Sequence, residues 1–292
     1  MMGDNYFPFY FVSDLHGREQ SYLKLFATLA RDLPKAVFFG GDLLPAGSLE
    51  FTGKSSLKRS FIESFLVPEL LQLKNALKGN FPQLFVILGN DDARVEEAAV
   101  IRHEHEKIWL YMHQRRTVFM DYQIFGYACV PPTPFALKDW ERYDVSHFVD
   151  PGALAPEEGR LTAAVSEEEI LAHTIQDDLE ALSGKESLDQ AIFIFHAPPY
   201  HTHLDRAALD GRFIDHVPLD MNVGSIAIRR FIEERQPLLT LHGHVHESAR
   251  LTGSWRDQIG RSHCFSAAHD GPEVAVVSFD PAHPGNAMRR LL

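Results

Sequence analysis

Five short apolar runs, each halted at once by residues able to bind a cation, constrain this chain more than any other feature. Phe9 to Val12, Ala36 to Phe39, Leu84 to Leu88, Ala191 to Phe195 and Leu238 to Leu241 have the composition of buried strands. They run into Asp14-Leu15-His16, Gly41-Asp42, Gly89-Asn90-Asp91-Asp92, His196 and Gly243-His244-Val245-His246. Helical spacing fills the intervals: Tyr22, Leu25, Phe26 and Leu29; Leu171, Ile175, Leu179 and Leu182 behind a Ser166-to-Glu169 capping box; Val223, Ile226, Ala227 and Phe231. This alternation predicts an α/β fold of open sheet layers flanked by helices, with ligands gathered at the carboxyl ends of the strands. Tyr122 to Val130, Ser262 to Ala267 and Val274 to Phe279 read as strands without intervening helices, and predict a second, partly antiparallel sheet.

With 292 residues, 45% of them hydrophobic, the chain has material for a sizeable core. Its two cysteines, Cys129 and Cys264, are far apart, which fits a reducing compartment and excludes a disulfide framework or a thiolate cage. A net charge of −12 disfavours a nucleic-acid substrate, because binding to phosphate backbones is driven by Lys and Arg. Asp4 stands where a leader would carry basic residues, and the run from Phe7 to Val12 is too short to span a bilayer. A cytoplasmic protein with no membrane partner is the expectation.

Residues 131–159 hold Pro131, Pro132, Pro134, Pro151 and Pro156 and read as an irregular surface excursion. Residues 281–292 read as a tail that packs little and frays.

In Asp14-Leu15-His16, side chains at i and i+2 of an extended chain share a face, so a carboxylate and an imidazole converge; His244 and His246 repeat this with two imidazoles. Singly, each ligand type has a plain explanation, since Asp42 and Asn90 follow glycines and serve turns. Jointly, seven nitrogen and oxygen donors at five strand ends point to a metal site.

The order and spacing resemble the calcineurin-like metallophosphoesterases, whose pattern runs D-x-H, G-D, G-N-H-D, a lone H and G-H-x-H, here over residues 14 to 246. Pro132-Thr133-Pro134-Phe135, Lys138-Asp139-Trp140-Glu141-Arg142, His196-Ala197-Pro198-Pro199-Tyr200 and His244-Val245-His246-Glu247-Ser248 add a local likeness to bacterial Icc-related predicted phosphoesterases. The resemblance implies a four-layer α/β/β/α sandwich of two mixed sheets flanked by helices, in a single domain over residues 1–280. It implies that Asp14, His16 and His246 hold one divalent cation, that Asn90, His196 and His244 hold another, and that Asp42 bridges. Manganese or iron(II) suits these donors best, and zinc is compatible. The implied reaction is hydrolysis of a small phosphomonoester or phosphodiester by attack of a metal-bridging hydroxide.

Two positions depart from that pattern. Pro45 stands where the second motif often continues to another Asp, and Asp91 replaces the family's leaving-group acid, a His. An Asp beside two dications stays ionised and makes a poor acid. Candidate catalytic residues are Asn90, Asp91 and His203, with His201 beside the last and His103 and His105 further off. Lys138, Arg142, Tyr200 and Asp205 are candidate substrate contacts. The alternative class is a scaffold or regulatory protein of the same fold with a weakened site.

Overall fold

The five apolar runs are strands, and the computed structural model, which describes residues 8–45 and 60–292, shows how they stack. Asp4 and Phe7 lie outside the described residues. In chain order the strands are β1 (Phe9–Val12), β2 (Ala36–Gly40), β3 (Gln83–Ile87), β4 (Leu110–Tyr111), β5 (Arg115–Phe119), β6 (Tyr122–Tyr127), β7 (Ala191–Phe195), β8 (Phe213–Ile214), β9 (Val217–Pro218), β10 (Leu239–His242), β11 (Arg256–Ile259), β12 (Ser262–Ser266), β13 (Ala275–Phe279) and β14 (Met288–Leu291). One six-stranded sheet has the order β14-β13-β1-β2-β3-β4 and the other β11-β12-β10-β7-β6-β5, while β8 and β9 form a separate hairpin. The β1-β2-β3-β4 and β6-β7-β10-β12 runs are parallel; β13, β14, β5 and β11 attach antiparallel at the edges.

Strands β1, β2 and β7 are buried along their whole length, which a parallel sheet achieves only when both faces are covered. The inner faces cover each other through aromatic rings: Phe9 meets Phe119 and Tyr122 at 6.0 and 5.9 Å, and Phe265 meets Phe279 at 6.0 Å. Helices cover the outer faces. α1 (Glu19–Asp32) buries Tyr22, Leu25, Phe26 and Leu29, and α2 (Val67–Leu77) continues from a π-helical turn at Ile62–Leu66. The architecture is the expected α/β/β/α sandwich. Each fully buried Phe contributes roughly 1.5–3 kcal/mol, and truncating Phe38, with no exposure and stacked at 5.2 Å on Phe85, would cost about 3–5 kcal/mol.

Three expectations are corrected. The segment around Val274 to Phe279 does not join the second sheet; as β13 it pairs antiparallel with β1 in the first. The single helix expected after Ser166 is two: α4 (Glu167–Ala172), capped by Ser166, and α5 (Ile175–Ser183), restarted by a reciprocal Thr174–Asp177 capping box. The chain end does not fray, because β14 pairs with β13 from Met288 to Leu291. Met288 and Leu291 stay exposed, so the backbone ladder holds this segment, and no run of apolar residues announces it.

After α3 (Glu97–Arg102), the excursion at 131–159 contains only a short 3-10 turn, Pro156–Glu158. It is bound to the body by bridges between Val130 and Glu141 and between Leu137 and Arg160. α6 (Ile226–Arg235) starts at a Ser225 cap, and α7 (Ser248–Thr252) closes the loop after β10. Among the described residues no helix is long and apolar enough to cross a membrane.

Candidate metal centre

The parallel strands of both sheets deliver the polar clusters to one end of the sandwich, because each cluster follows the last residue of β1, β2, β3, β7 or β10. The first two loops zip together: the Asp14 N–H donates to the Gly41 carbonyl at 3.0 Å and the His16 N–H to the Asp42 carbonyl at 2.8 Å. Asp14, His16, Asp42 and His244 all adopt positive φ, at 58°, 45°, 53° and 72°. Such conformations cost of order 1–3 kcal/mol each for non-glycine residues and persist where surroundings enforce them. Two glycines make the approach possible. A Cβ at Gly243 would lie 2.0 Å from Ser13 Oγ and 2.8 Å from Asp14 Oδ2, and one at Gly89 would lie 2.3 Å from Asp42 Oδ1.

One donor group from Asp14, His16, Asp42 and His246 has ligand atoms all within 4.8 Å of one another. His246 Nε2 lies 3.3 Å from Asp14 Oδ1 and 3.2 Å from His16 Nε2. On the other side His196 Nε2 lies 3.3 Å from Asp42 Oδ2 and 3.0 Å from Asn90 Oδ1, with the His244 ring 5.2 Å away centroid to centroid. Asp42 therefore faces both groups. His196 Nδ1 sits 2.7 Å from the Gly40 carbonyl, which fixes that nitrogen as the N–H donor and leaves Nε2 for a cation.

These residues fit a cation on their own evidence. Asp14 Oδ2 is buried with no hydrogen-bond partner, a costly arrangement for a carboxylate oxygen unless something positive is to meet it. Burial resists charge on His196 and His246, yet Asp42 and Asp14 respectively raise them to about 10 and about 9. His244 is pushed down to about 3 by burial and by the neighbouring His196 charge, so it stands neutral and ready to ligate. Against its own desolvation, Asp14 is held below the usual carboxylate range by His246. Protons thus occupy positions that divalent cations would take.

Asp91 lies at the mouth, 39% exposed, with Oδ2 3.6 Å from His16 Nδ1; burial and the Asp42 charge raise its pKa without a metal. Its backbone N–H donates to Asp42 Oδ1 at 2.8 Å. His203 is 57% exposed and its Nδ1 is 2.9 Å from Asp257 Oδ2, a surface pair. His201 is exposed, and His103 is tied to Glu63 and Glu106 beyond α3.

The candidate substrate contacts are otherwise engaged. Lys138, with no side-chain exposure, reaches Glu141 Oε2 at 2.5 Å, so it is a buried ion pair and not a substrate contact. Arg142 faces Asp178 at 3.3 Å. Asp205 is fully buried and accepts the N–H groups of His201, Thr202 and Gly224, which makes it the organiser of its own loop. Tyr200 donates to Asp220 at 2.6 Å.

Asp92, given no role by sequence reasoning, proves central. Its fully buried carboxylate accepts the N–H groups of Leu43, Leu44 and Gly89, locking the Asp42 loop to the Asn90 loop. Burial and the Asp42 charge push it to about 7, against the pull of those donors. Its place beside Asn90 and Asp91 was the signal available.

A family model described as calcineurin-like phosphoesterase matches residues 7–248. Among solved structures, the chain is similar to the protein TT1561 of Thermus thermophilus, with a TM-score of 0.53 and 17% identity over 97% of each chain. It is also similar to phosphopantetheinyl hydrolase from Mycobacterium tuberculosis, with a TM-score of 0.51 and 11% identity over 90% of this chain and 89% of that one. At these identities the likeness is one of fold. No curated protein matches the chain.

Proposed function

This chain belongs to the calcineurin-like phosphoesterases, and from that premise we propose that it hydrolyses a small phosphomonoester or phosphodiester with two divalent cations, manganese or iron(II) foremost and zinc compatible. The observation that carries this reading is the pair of donor groups facing one carboxylate, Asp42, with Asp14 Oδ2 left unpartnered beside it. Bound there, divalent cations supply Lewis-acid activation of water and neutralise the charge of a phosphoryl group.

The chain's own residues supply the rest. Asp14, His16 and His246 form one ligand set and Asn90, His196 and His244 the other, with Asp42 common to both. The Gly40 carbonyl keeps His196 in the tautomer that presents Nε2. Backbone N–H groups of Asp91 and His244 hold Asp42 Oδ1 and Asp14 Oδ1 in place, so the carboxylates need no reorganisation on loading.

Among the described residues no neutral acid is positioned at the mouth, since a cation pair would hold Asp91 ionised. The proposed substrate therefore has a leaving group that departs without a proton, or brings its own. Turnover of p-nitrophenyl phosphate and bis-p-nitrophenyl phosphate with added manganese, alongside metal analysis, tests the reading. Two bound equivalents and turnover support it; neither metal nor turnover points instead to the scaffold of the same fold.

A further inference from the structure

A cluster of deeply buried charges outside the metal centre lies in the proline-rich excursion. Lys138, Asp139 and Glu141 are 1%, 4% and 7% exposed. Lys138 Nζ donates to Glu141 Oε2 and, at 2.7 Å, to the Thr133 carbonyl, while the Thr133 N–H returns to Glu141 at 2.8 Å. Buried ion pairs seldom add net stability over apolar packing, so the use of this knot is to be sought in what it holds.

It holds the backbone just beyond Asn90. Trp140 Nε1–H donates to the Asp92 carbonyl at 2.8 Å, and Asp139 Oδ2 accepts the Arg94 N–H at 2.8 Å. Asp139 Oδ1 takes the Thr162 N–H at 2.7 Å, Thr162 Oγ1 takes the Val95 N–H at 3.1 Å, and the Arg94 guanidinium lies 5.4 Å over the Trp140 ring. Asp92 in turn clamps the Asp42 and Asn90 loops through its carboxylate. Among the described residues, no hydrogen bond joins residues 133–142 to Asp14, His16 or His246. The brace therefore meets the chain at Asp92, two residues beyond Asn90, and reaches the Asp14–His16 loop only at one remove, through the Asp42 loop.

We propose that Trp140 and Asp139 are positioning residues for the Asn90–His196–His244 half of the centre, holding Asn90 Oδ1 beside His196 Nε2 by fixing the backbone from Asp92 to Val95. This rests on the two-metal reading. Outer groups that orient metal ligands typically contribute about 10–100-fold in affinity.

The test is manganese binding by the full-length, metal-stripped protein, followed by calorimetry and by the spin signal of bound ion, for wild type, Trp140→Phe and Asp139→Asn. The expected result is two sites in wild type, one weakened about 10-fold or more in each variant and the other changed less than about twofold. In a cycle, Trp140→Phe should weaken binding in a His246→Ala background and do nothing further in an Asn90→Ala background. Equal weakening of both sites, or unchanged binding in a variant folded by circular dichroism, overturns the inference. Asp139→Asn carries the test alone if Trp140→Phe does not fold. A wild type without a second equivalent would sink the two-metal reading itself, a separable outcome.

Discussion

The two halves of the centre differ in depth. On one side His196 has 0% side-chain exposure and Asn90 is buried; on the other, His16 has 19% and His246 34% around a buried Asp14, with Asp91 at 39% beyond them. A buried donor has lost water's help, so contacts behind it must define it: the Gly40 carbonyl for His196 and the Asp92 clamp for Asn90. Among the described residues the open half has no such backing beyond Asp14, and under the proposed function a phosphate ester would reach the centre from that side. Depth separates the half that is built from the half that is approached.

Asp42 is where the comparison breaks most completely, since both halves face it. Asp42→Ala should lower turnover by about three orders of magnitude and remove both metal equivalents, read by steady-state kinetics and metal analysis. Loss of one equivalent alone would show that the halves do not share it.

The halves themselves are separated by His196→Ala against His246→Ala. Removing His196 leaves the Asp42 charge buried and unpaired, which should cost about 3–5 kcal/mol in the unfolding of the metal-free protein. Removing His246 also takes a partner from buried Asp14, but its ring is one-third exposed and water can enter behind it, so the loss in denaturant midpoint should be smaller than for His196, alongside lowered metal affinity. Equal destabilisation by both changes would erase the distinction in depth.

How much of this could be read from the residues depends on what made each feature visible. Strands β1, β2, β3, β7 and β10 are continuous apolar runs because they are covered on both faces, and the clusters that follow them were legible for the same reason. β14 was not, because it is half exposed and held by its ladder. Lys138 read as a candidate substrate contact, since only tertiary structure brings Thr133 and Glu141 around it. His242 shows the limit most clearly: it stands in line with His244 and His246, yet points into the core, stacked 5.7 Å from Phe195.

His242 also yields a pH test of burial without metal. It has no exposure, and burial lowers it from 6.5 to about 4. The unfolded chain therefore binds the extra proton between those values, and stability falls as pH drops from 6.5 towards 4, by about 3 kcal/mol from this group. The raised His196 and His246 add stability only as pH falls from about 10 and about 9 towards 6.5 and contribute no slope below it, so the comparison to make is wild type against His242→Gln. The variant should show the smaller loss on acidification and unchanged metal binding at neutral pH; a parallel profile in both would place His242 outside the acid response.

The smallest effect probes the mouth of the open half, where shape and charge disagree. Asp91 lies 3.6 Å from His16 and is more than one-third exposed, where under the proposed function an acid would face the departing oxygen, but a carboxylate next to cations would have no proton to give. A positioned acid contributes about 100-fold or more, chiefly to poor leaving groups. Asp91→His, without a surrounding selected to orient the ring, should recover about 10-fold for alkyl phosphates and leave aryl phosphates of low leaving-group pKa unchanged. In wild type, rate plotted against leaving-group pKa should fall steeply, and the variant's slope should be shallower. A flat wild-type dependence would mean that another group, with exposed His203 the first to examine, already delivers the proton, and that the open half is better equipped than its geometry indicates.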